Sequence, residues 1–214
     1  MSDSLCYKTI PVTPYAQNAS ILWCAITKKA AITDPGGDLD LLLEALESEG
    51  LTLEKILLTH GHIDHIGFTA DLAKQTGAPI IGPHQDDQFL LDSLDEYSQM
   101  LKLPHSGSFK PKRWLNDGDT VSIGNQTLEV VHCPGHTPGH IIYYHAPSKL
   151  AVVGDVLFHR GIGRTDFPRG NHADLIYSIT QKLLPLGDEI EFIPGHGPNS
   201  TFGDERVHNP YLQL

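Results

Sequence analysis

The sequence predicts an α+β fold in which two β-rich halves, each with its own helices, stack as two sheets with the helices outside. Three observations lead there. Twenty glycines and 15 prolines punctuate the chain at short intervals, the runs between them are mostly brief and apolar, and a few longer runs carry leucines at helical spacing. Residues 20–27 (SILWCAIT) and 30–33 (AAIT) read as strands joined by a Lys28-Lys29 turn, and Asp34-Pro35-Gly36-Gly37 stops the second. Residues 38–48 follow as a helix with Asp38 at its N-cap. Residues 55–58 (KILL) form a short buried strand, 66–76 a helix closed by Gly77 at C′, and 78–82 another strand. The polar stretch 85–111 reads as one helix followed by an exposed loop. Strands return at 120–123, 126–131, 141–145 and 150–153, the first two joined by a Gly124-Asn125 hairpin turn. A helix at 174–184 and a strand at 191–193 complete the chain.

The 214 residues are 40% apolar, enough to bury a core without disulfides or repeats, so a disordered or collagenous chain is excluded. A net charge of -11 disfavours a nucleic-acid partner gripped through a broad basic face. No apolar run reaches the roughly 18 residues a membrane helix requires, and MSDSLCYKTI lacks the basic start and apolar run of a signal peptide. Cys6, Cys24 and Cys133 form an odd set without CxxC spacing, which fits a reducing cytoplasm better than a disulfide framework. The expectation is a cytoplasmic monomer or small homo-oligomer without nucleic-acid or membrane partners. The anomaly is histidine, present 13 times.

The strongest signal is Thr59-His60-Gly61-His62-Ile63-Asp64-His65, directly after a strand. Residues two apart in extended chain point the same way, so His60 and His62 can grip one metal. Asp64 and His65, where the loop curls into the next helix, can serve a second. Three more strands run into a glycine beside a His or Asp: Pro134-Gly135-His136, Gly154-Asp155 and Pro194-Gly195-His196. Loops at strand ends commonly converge on one edge of a sheet.

Counting ligands divides the set into His60, His62 and His136 for one ion, and Asp64, His65 and His196 for the other. Asp155 remains as a carboxylate able to bridge both. Imidazole and carboxylate suit zinc, iron or manganese, and the absence of cysteine argues against a structural zinc site. Two divalent ions, two carboxylates and a bridging hydroxide leave one net positive charge, which favours an anionic substrate or a developing oxyanion. A water with its pKa lowered to about 7 by the metals would be the nucleophile, and no GxSxG offers a serine instead.

HGHIDH, CPGHTPGH, GDVLF followed by GIGR, and PGHG resemble the metallo-β-lactamase superfamily, most closely short bacterial members of its glyoxalase II (hydroxyacylglutathione hydrolase) branch. The similarity runs from NASILW to HNPYL. It implies a single domain over residues 1–214, built as a four-layer αββα sandwich with a dinuclear site at one edge. It implies the same division of the seven ligands, with two divalent ions, zinc first. Asp34 of TDPGG matches a family aspartate that orients a metal-binding histidine; it also reads as a turn-forming Asx. Arg164 matches the basic residue that holds the glutathione moiety. Asp166 and Pro198 stand where two substrate-contacting tyrosines are usual, and only 18 residues follow His196, too few for the branch's C-terminal helical glutathione-binding domain.

The resulting expectation is hydrolysis of an anionic thioester such as S-lactoylglutathione by a metal-bridging hydroxide, with Asp155 and Asp64 catalytic and Asp64 accepting the proton. The alternative is the persulfide (sulfur) dioxygenase branch, with one iron, which GIGRTDF also resembles. A non-catalytic metal store is a third reading. His132, His140, His145 and His159 lie outside the ligand pattern and read as structural or solvent-facing. Cys133 reads as a small core residue, Trp23 and Trp114 as core or pocket wall, and the basic runs 28–29 and 110–113 as solvated loops.

Overall fold

In the computed structural model, which describes residues 3–213, two mixed sheets lie face to face. The first has the order β1-β2-β3-β4-β5: Leu5–Val12, Gln17–Cys24, Lys29–Thr33, Thr52–Leu57 and Ile80–Ile81. The second, in the order β13-β12-β9-β8-β7-β6, comprises Ser200–Thr201, Glu191–Pro194, Leu150–Gly154, Ile141–His145, Gln126–His132 and Thr120–Ile123. A small hairpin, β10 (Leu157–Phe158) with β11 (Gly161–Ile162), stands apart. The helices are α1 Leu39–Ser48, α2 Ile63–Ile66, α3 Thr69–Thr76, α4 Gln88–Asp92, α5 Leu94–Leu101, α6 His172–Tyr177 and α7 Phe202–His208.

The apolar strands are buried on both faces, and their period of two sorts side chains into three layers of core. On the first sheet Ala30, Ile32 and Ile56 pack toward α1 and α3, while Ala31 and Leu57 point into the space between the sheets. On the second, Ile141, Tyr143 and Val152 face inward, while Ile142, Tyr144 and Val153 face α6 and α7. The result is the expected αββα sandwich.

Several boundaries differ from the sequence reading. Strand β1 is unanticipated because its burial is mixed, and β2 begins at Gln17, earlier than the apolar run suggests. Asp38 does not cap α1; its carboxylate accepts the Thr13 N–H at 2.8 Å. The expected helix 66–76 is two helices broken at Gly67-Phe68, because the backbone there passes close to Gly36; Gly77 ends α3 with φ 72° as expected. The 85–111 region holds a 3-10 turn at Gln85–Asp87 and two short α-helices, and the segment beyond is packed, burying Leu103 and Leu115. The helix near 174–184 starts at His172 and loosens into a π-helical turn from Ser178 to Leu183. After His196 the chain adds β13 and α7, whose Phe202 is fully buried in the outer core. No helix among the described residues is long and apolar enough to cross a membrane.

Candidate metal centre

Two parallel strand pairs bring the ligand loops together. The β3–β4 register sets Thr33 beside Leu57, so Asp34 and Thr59 emerge side by side. The β9–β12 register sets Gly154 beside Pro194, so Asp155 and His196 emerge side by side. The Ile141 N–H donates to the Thr59 carbonyl at 2.9 Å and ties the two sheets together at this edge.

All seven predicted residues converge. His62 Nδ1 lies 3.1 Å from His60 Nε2 and 2.9 Å from His136 Nε2. Asp64 Oδ2 lies 3.2 Å from His196 Nε2 and 3.8 Å from His65 Nε2. Asp155 faces both groups, with Oδ1 3.3 Å from His65 Nε2 and Oδ2 3.5 Å from His136 Nε2 and 3.7 Å from His196 Nε2. Both triads could hold an ion by the spacing of their donor atoms.

Four of the imidazoles are oriented by a bond at the nitrogen turned away from the centre. His60 Nδ1 donates to Thr59 Oγ1 at 3.0 Å, and that hydroxyl donates to Asp34 Oδ2 at 2.6 Å. His65 Nδ1 donates to the same oxygen at 3.0 Å. His136 Nδ1 donates to the Arg164 carbonyl at 2.7 Å, and His196 Nδ1 to the Tyr15 carbonyl at 3.1 Å. These tautomers follow from the acceptors and leave four Nε2 lone pairs pointing inward. His62 Nδ1 can donate to only one of the two Nε2 atoms about 3 Å from it, so at least one pair of lone pairs faces across that gap, a repulsion a cation would relieve. His65 Nε2 and Asp155 Oδ1 are buried with no hydrogen-bond partner, as expected of atoms that ligate. The residues therefore fit a pair of divalent ions.

The electrostatics agree. Burial, reinforced by neighbouring imidazoles, holds His60 well below the ordinary histidine range and His62 at about 3, so both stay neutral and able to ligate. At His65 burial is outweighed by Asp155, Asp64 and Asp34, which hold it well above that range. The second group thus sits in strongly negative potential, where a cation is favoured. Burial also opposes ionisation of Asp155, but His65 overcomes it and keeps the carboxyl far below its usual value.

Asp34 has φ 49° and is buried; besides Thr59 Oγ1–H and His65 it accepts the Thr59 N–H at 2.8 Å. It therefore reaches a histidine of each triad as well as shaping its own turn. At Gly195 a Cβ would collide with Asp155 and His65, so only glycine lets β12 end against the site.

Three residues near the centre escaped the sequence reading. Thr59 relays Asp34 to His60. His140, read as structural or solvent-facing, is fully buried, stacks on His60 at 4.6 Å and accepts the Asp155 N–H at Nε2. Asp87 accepts from Gly61 N–H, Thr137 Oγ1–H and Gly139 N–H at 2.9, 2.8 and 2.6 Å, clasping the loops of His60–His62 and His136. Only its place in GPHQDD, after a strand, hinted at it. Of the rest, His132 donates to the Pro138 carbonyl and stacks on His84, His145 is buried, and His159 is exposed. Cys133 is buried, Trp23 and Trp114 pack on the helix-side core, and the three cysteines are unpaired.

A cavity of about 400 Å³ opens over the centre. Tyr15, Tyr97, Phe158 and Phe167 line it along with His62, Asp64, His136, Asp155 and His196. Arg164 is on the wall too, its guanidinium 4.5 Å over the Phe167 ring and bound by two hydrogen bonds to Asp166.

Comparison with known proteins places this geometry in context. Residues 12–196 match the family described as the metallo-beta-lactamase superfamily. The chain is 47% identical over 204 residues to hydroxyacylglutathione hydrolase GloC of Haemophilus influenzae, covering 95% of this chain and 96% of that one. Among solved structures, the BLEG-1 B3 metallo-beta-lactamase superposes with TM-score 0.90 at 37% identity, covering 98% of this chain and all of that one. TTHA1623 in a di-iron-bound form does so with TM-score 0.87 at 32% identity, covering 96% of this chain and all of that one. With a family match across most of its length, the fold that family has, and two His/Asp groups that could hold metal at one sheet edge, the chain belongs to the metallo-β-lactamase superfamily of metallo-enzymes.

Proposed function

We propose that the protein is a metal-dependent thioester hydrolase of the glyoxalase II type, acting on a thioester such as S-lactoylglutathione. The observation that carries this reading is Asp155, whose carboxylate lies within 3.3 to 3.7 Å of histidines of both ligand groups, and similarity to GloC supports it. When bound, two divalent ions would supply Lewis acidity for the acyl carbonyl and a nucleophilic water of lowered pKa. His60, His62 and His136 would hold one ion, Asp64, His65 and His196 the other. Asp155 would keep both in register, and Asp64, on the cavity wall, would take the proton the water releases. The water oxygen joins the acyl carbon and the C–S bond breaks. Sulfur leaves with the electron pair as a thiolate, so no strong protein acid is needed. The largely apolar wall shields the reacting carbonyl from bulk water.

Zinc is the proposed metal, with iron or manganese as substitutes; similarity to TTHA1623, solved in a di-iron-bound form, keeps iron in the test. The experiment is metal counting on protein reconstituted with each ion, followed by turnover of S-lactoylglutathione, a β-lactam and glutathione persulfide with an oxygen electrode. Two ions per chain and thioester cleavage are expected. One iron per chain, with persulfide-dependent oxygen uptake and no thioester cleavage, would establish the dioxygenase reading instead.

A further inference from the structure

The wall of the cavity beyond the metal centre is apolar. Tyr97, Met100, Leu101, Phe158, Ile162 and Phe167 make most of it, and Arg164 is the one Lys or Arg among its lining residues. That cation is already engaged. Arg164 Nε donates to Asp166 Oδ1 at 2.9 Å and Nη2 to Oδ2 at 2.8 Å, a two-pronged pairing that fills one of the two forks the guanidinium offers a carboxylate. Both side chains are 68% exposed, so the pair stands at the mouth rather than inside a core. The face of the same guanidinium rests on Phe167, which fixes the plane of the fork.

An anionic group entering this cavity meets two costs. It must displace Asp166 from Arg164 or share the remaining Nη donors with it, and either way it lies close to a carboxylate. A neutral, apolar group meets neither and covers aromatic and aliphatic wall. From these observations, and resting on the thioester reading above, we infer that Asp166 is a specificity-determining residue that neutralises Arg164 and tunes the cavity toward thioesters whose thiol half is uncharged and apolar. With a small acyl group the thiol is the larger half, so it is the thiol that fills the cavity. S-Lactoylglutathione is then a substrate taken up weakly, its carboxylates competing with Asp166 for one arginine.

The test compares the lactoyl thioesters of glutathione and of benzyl mercaptan, which share the reacting bond and differ in charge beyond it. The metal-reconstituted wild type is expected to show the larger kcat/KM for the benzyl thioester. Asp166→Asn should raise the glutathione-to-benzyl ratio of kcat/KM about fivefold through KM, the scale of an exposed ion pair, and the gain should shrink in high salt. Asp166→Glu, which keeps the carboxylate, should return the ratio toward wild type. Adding Arg164→Gln to Asp166→Asn should abolish the gain. A second readout is independent of catalysis: calorimetric titration of metal-free protein with glutathione, where Asp166→Asn should bind a few-fold tighter. A ratio unmoved by Asp166→Asn, or a wild type that prefers the glutathione thioester tenfold, overturns the inference while the hydrolase stands. Failure of both thioesters to turn over, with glutathione binding still tightened by Asp166→Asn, overturns the hydrolase reading and leaves the Arg164–Asp166 competition in place.

Discussion

Replacing Asp34 by Asn is the sharpest probe of how the centre is prepared. The carboxylate accepts three hydrogen bonds, from Thr59 N–H, Thr59 Oγ1–H and His65 Nδ1–H, at 2.8, 2.6 and 3.0 Å. An amide of nearly the same shape can still accept the Thr59 N–H, but its NH2 would point at the other two donors. To avoid that clash the Thr59 hydroxyl must turn its proton toward His60 Nδ1, and His65 must give up the proton on Nδ1. Both changes move imidazole protons to Nε2, the nitrogens that face the centre. Each metal group thus has one ligand in the wrong tautomer. Loss of a partner that orients a metal ligand typically costs 10- to 100-fold in affinity, and here two ligands depend on one oxygen. The expected loss is about 100-fold, or ~2.7 kcal/mol. Competition against a fluorescent chelator at neutral pH measures it, and Thr59→Val, which disturbs only His60, should lose about tenfold. A metal affinity for Asp34→Asn within threefold of wild type would refute the argument, because the relay would then not set the tautomers.

Three other outcomes are expected. Asp155→Ala should abolish thioester cleavage in metal-reconstituted protein, as it removes the carboxylate facing both ligand groups; turnover within tenfold of wild type sinks that role. Gly195→Ala should cut metal binding to less than half of wild-type stoichiometry by mass spectrometry, since the new methyl would occupy the space of Asp155 Oδ1, and full occupancy would show that the loop can yield. Burial raises Asp87 from 3.8 to about 6 despite its three donors, so the folded protein binds that proton more tightly than the unfolded chain. Its contribution is most favourable below the unfolded value and is lost as pH climbs through the folded one. Wild type should therefore lose about 3 kcal/mol relative to Asp87→Asn between pH 3.5 and 7 in urea titrations of metal-free protein, and a flat difference would contradict the shift.

Much of the architecture was legible because its signals are local. Short apolar runs in β3, β8 and β9, buried along nearly their whole length, and the run that ends β4 announce strands in the interior. The histidine and aspartate motifs were legible for the same reason, each being a few residues at the end of a strand. Where local signals were weak the reading slipped. Strand β1 alternates irregularly, the 66–76 helix breaks where Gly67 meets Gly36, and α7 earns its place by packing Phe202 beneath the second sheet.

By itself, the order of residues determined that this chain folds as stacked sheets under helices and carries seven side chains of metal-binding type at strand ends, since periodicity and short motifs are written in neighbouring positions. Only the tertiary structure decided what those side chains lean on. Asp34 could have been merely a turn residue; the β3–β4 register sets it against Thr59 and His65, 31 residues away. Asp87 meets Gly139 across 52 residues, and His140 supports Asp155 across 15. Such contacts depend on where strands pair and loops cross, and no spacing along the chain encodes them.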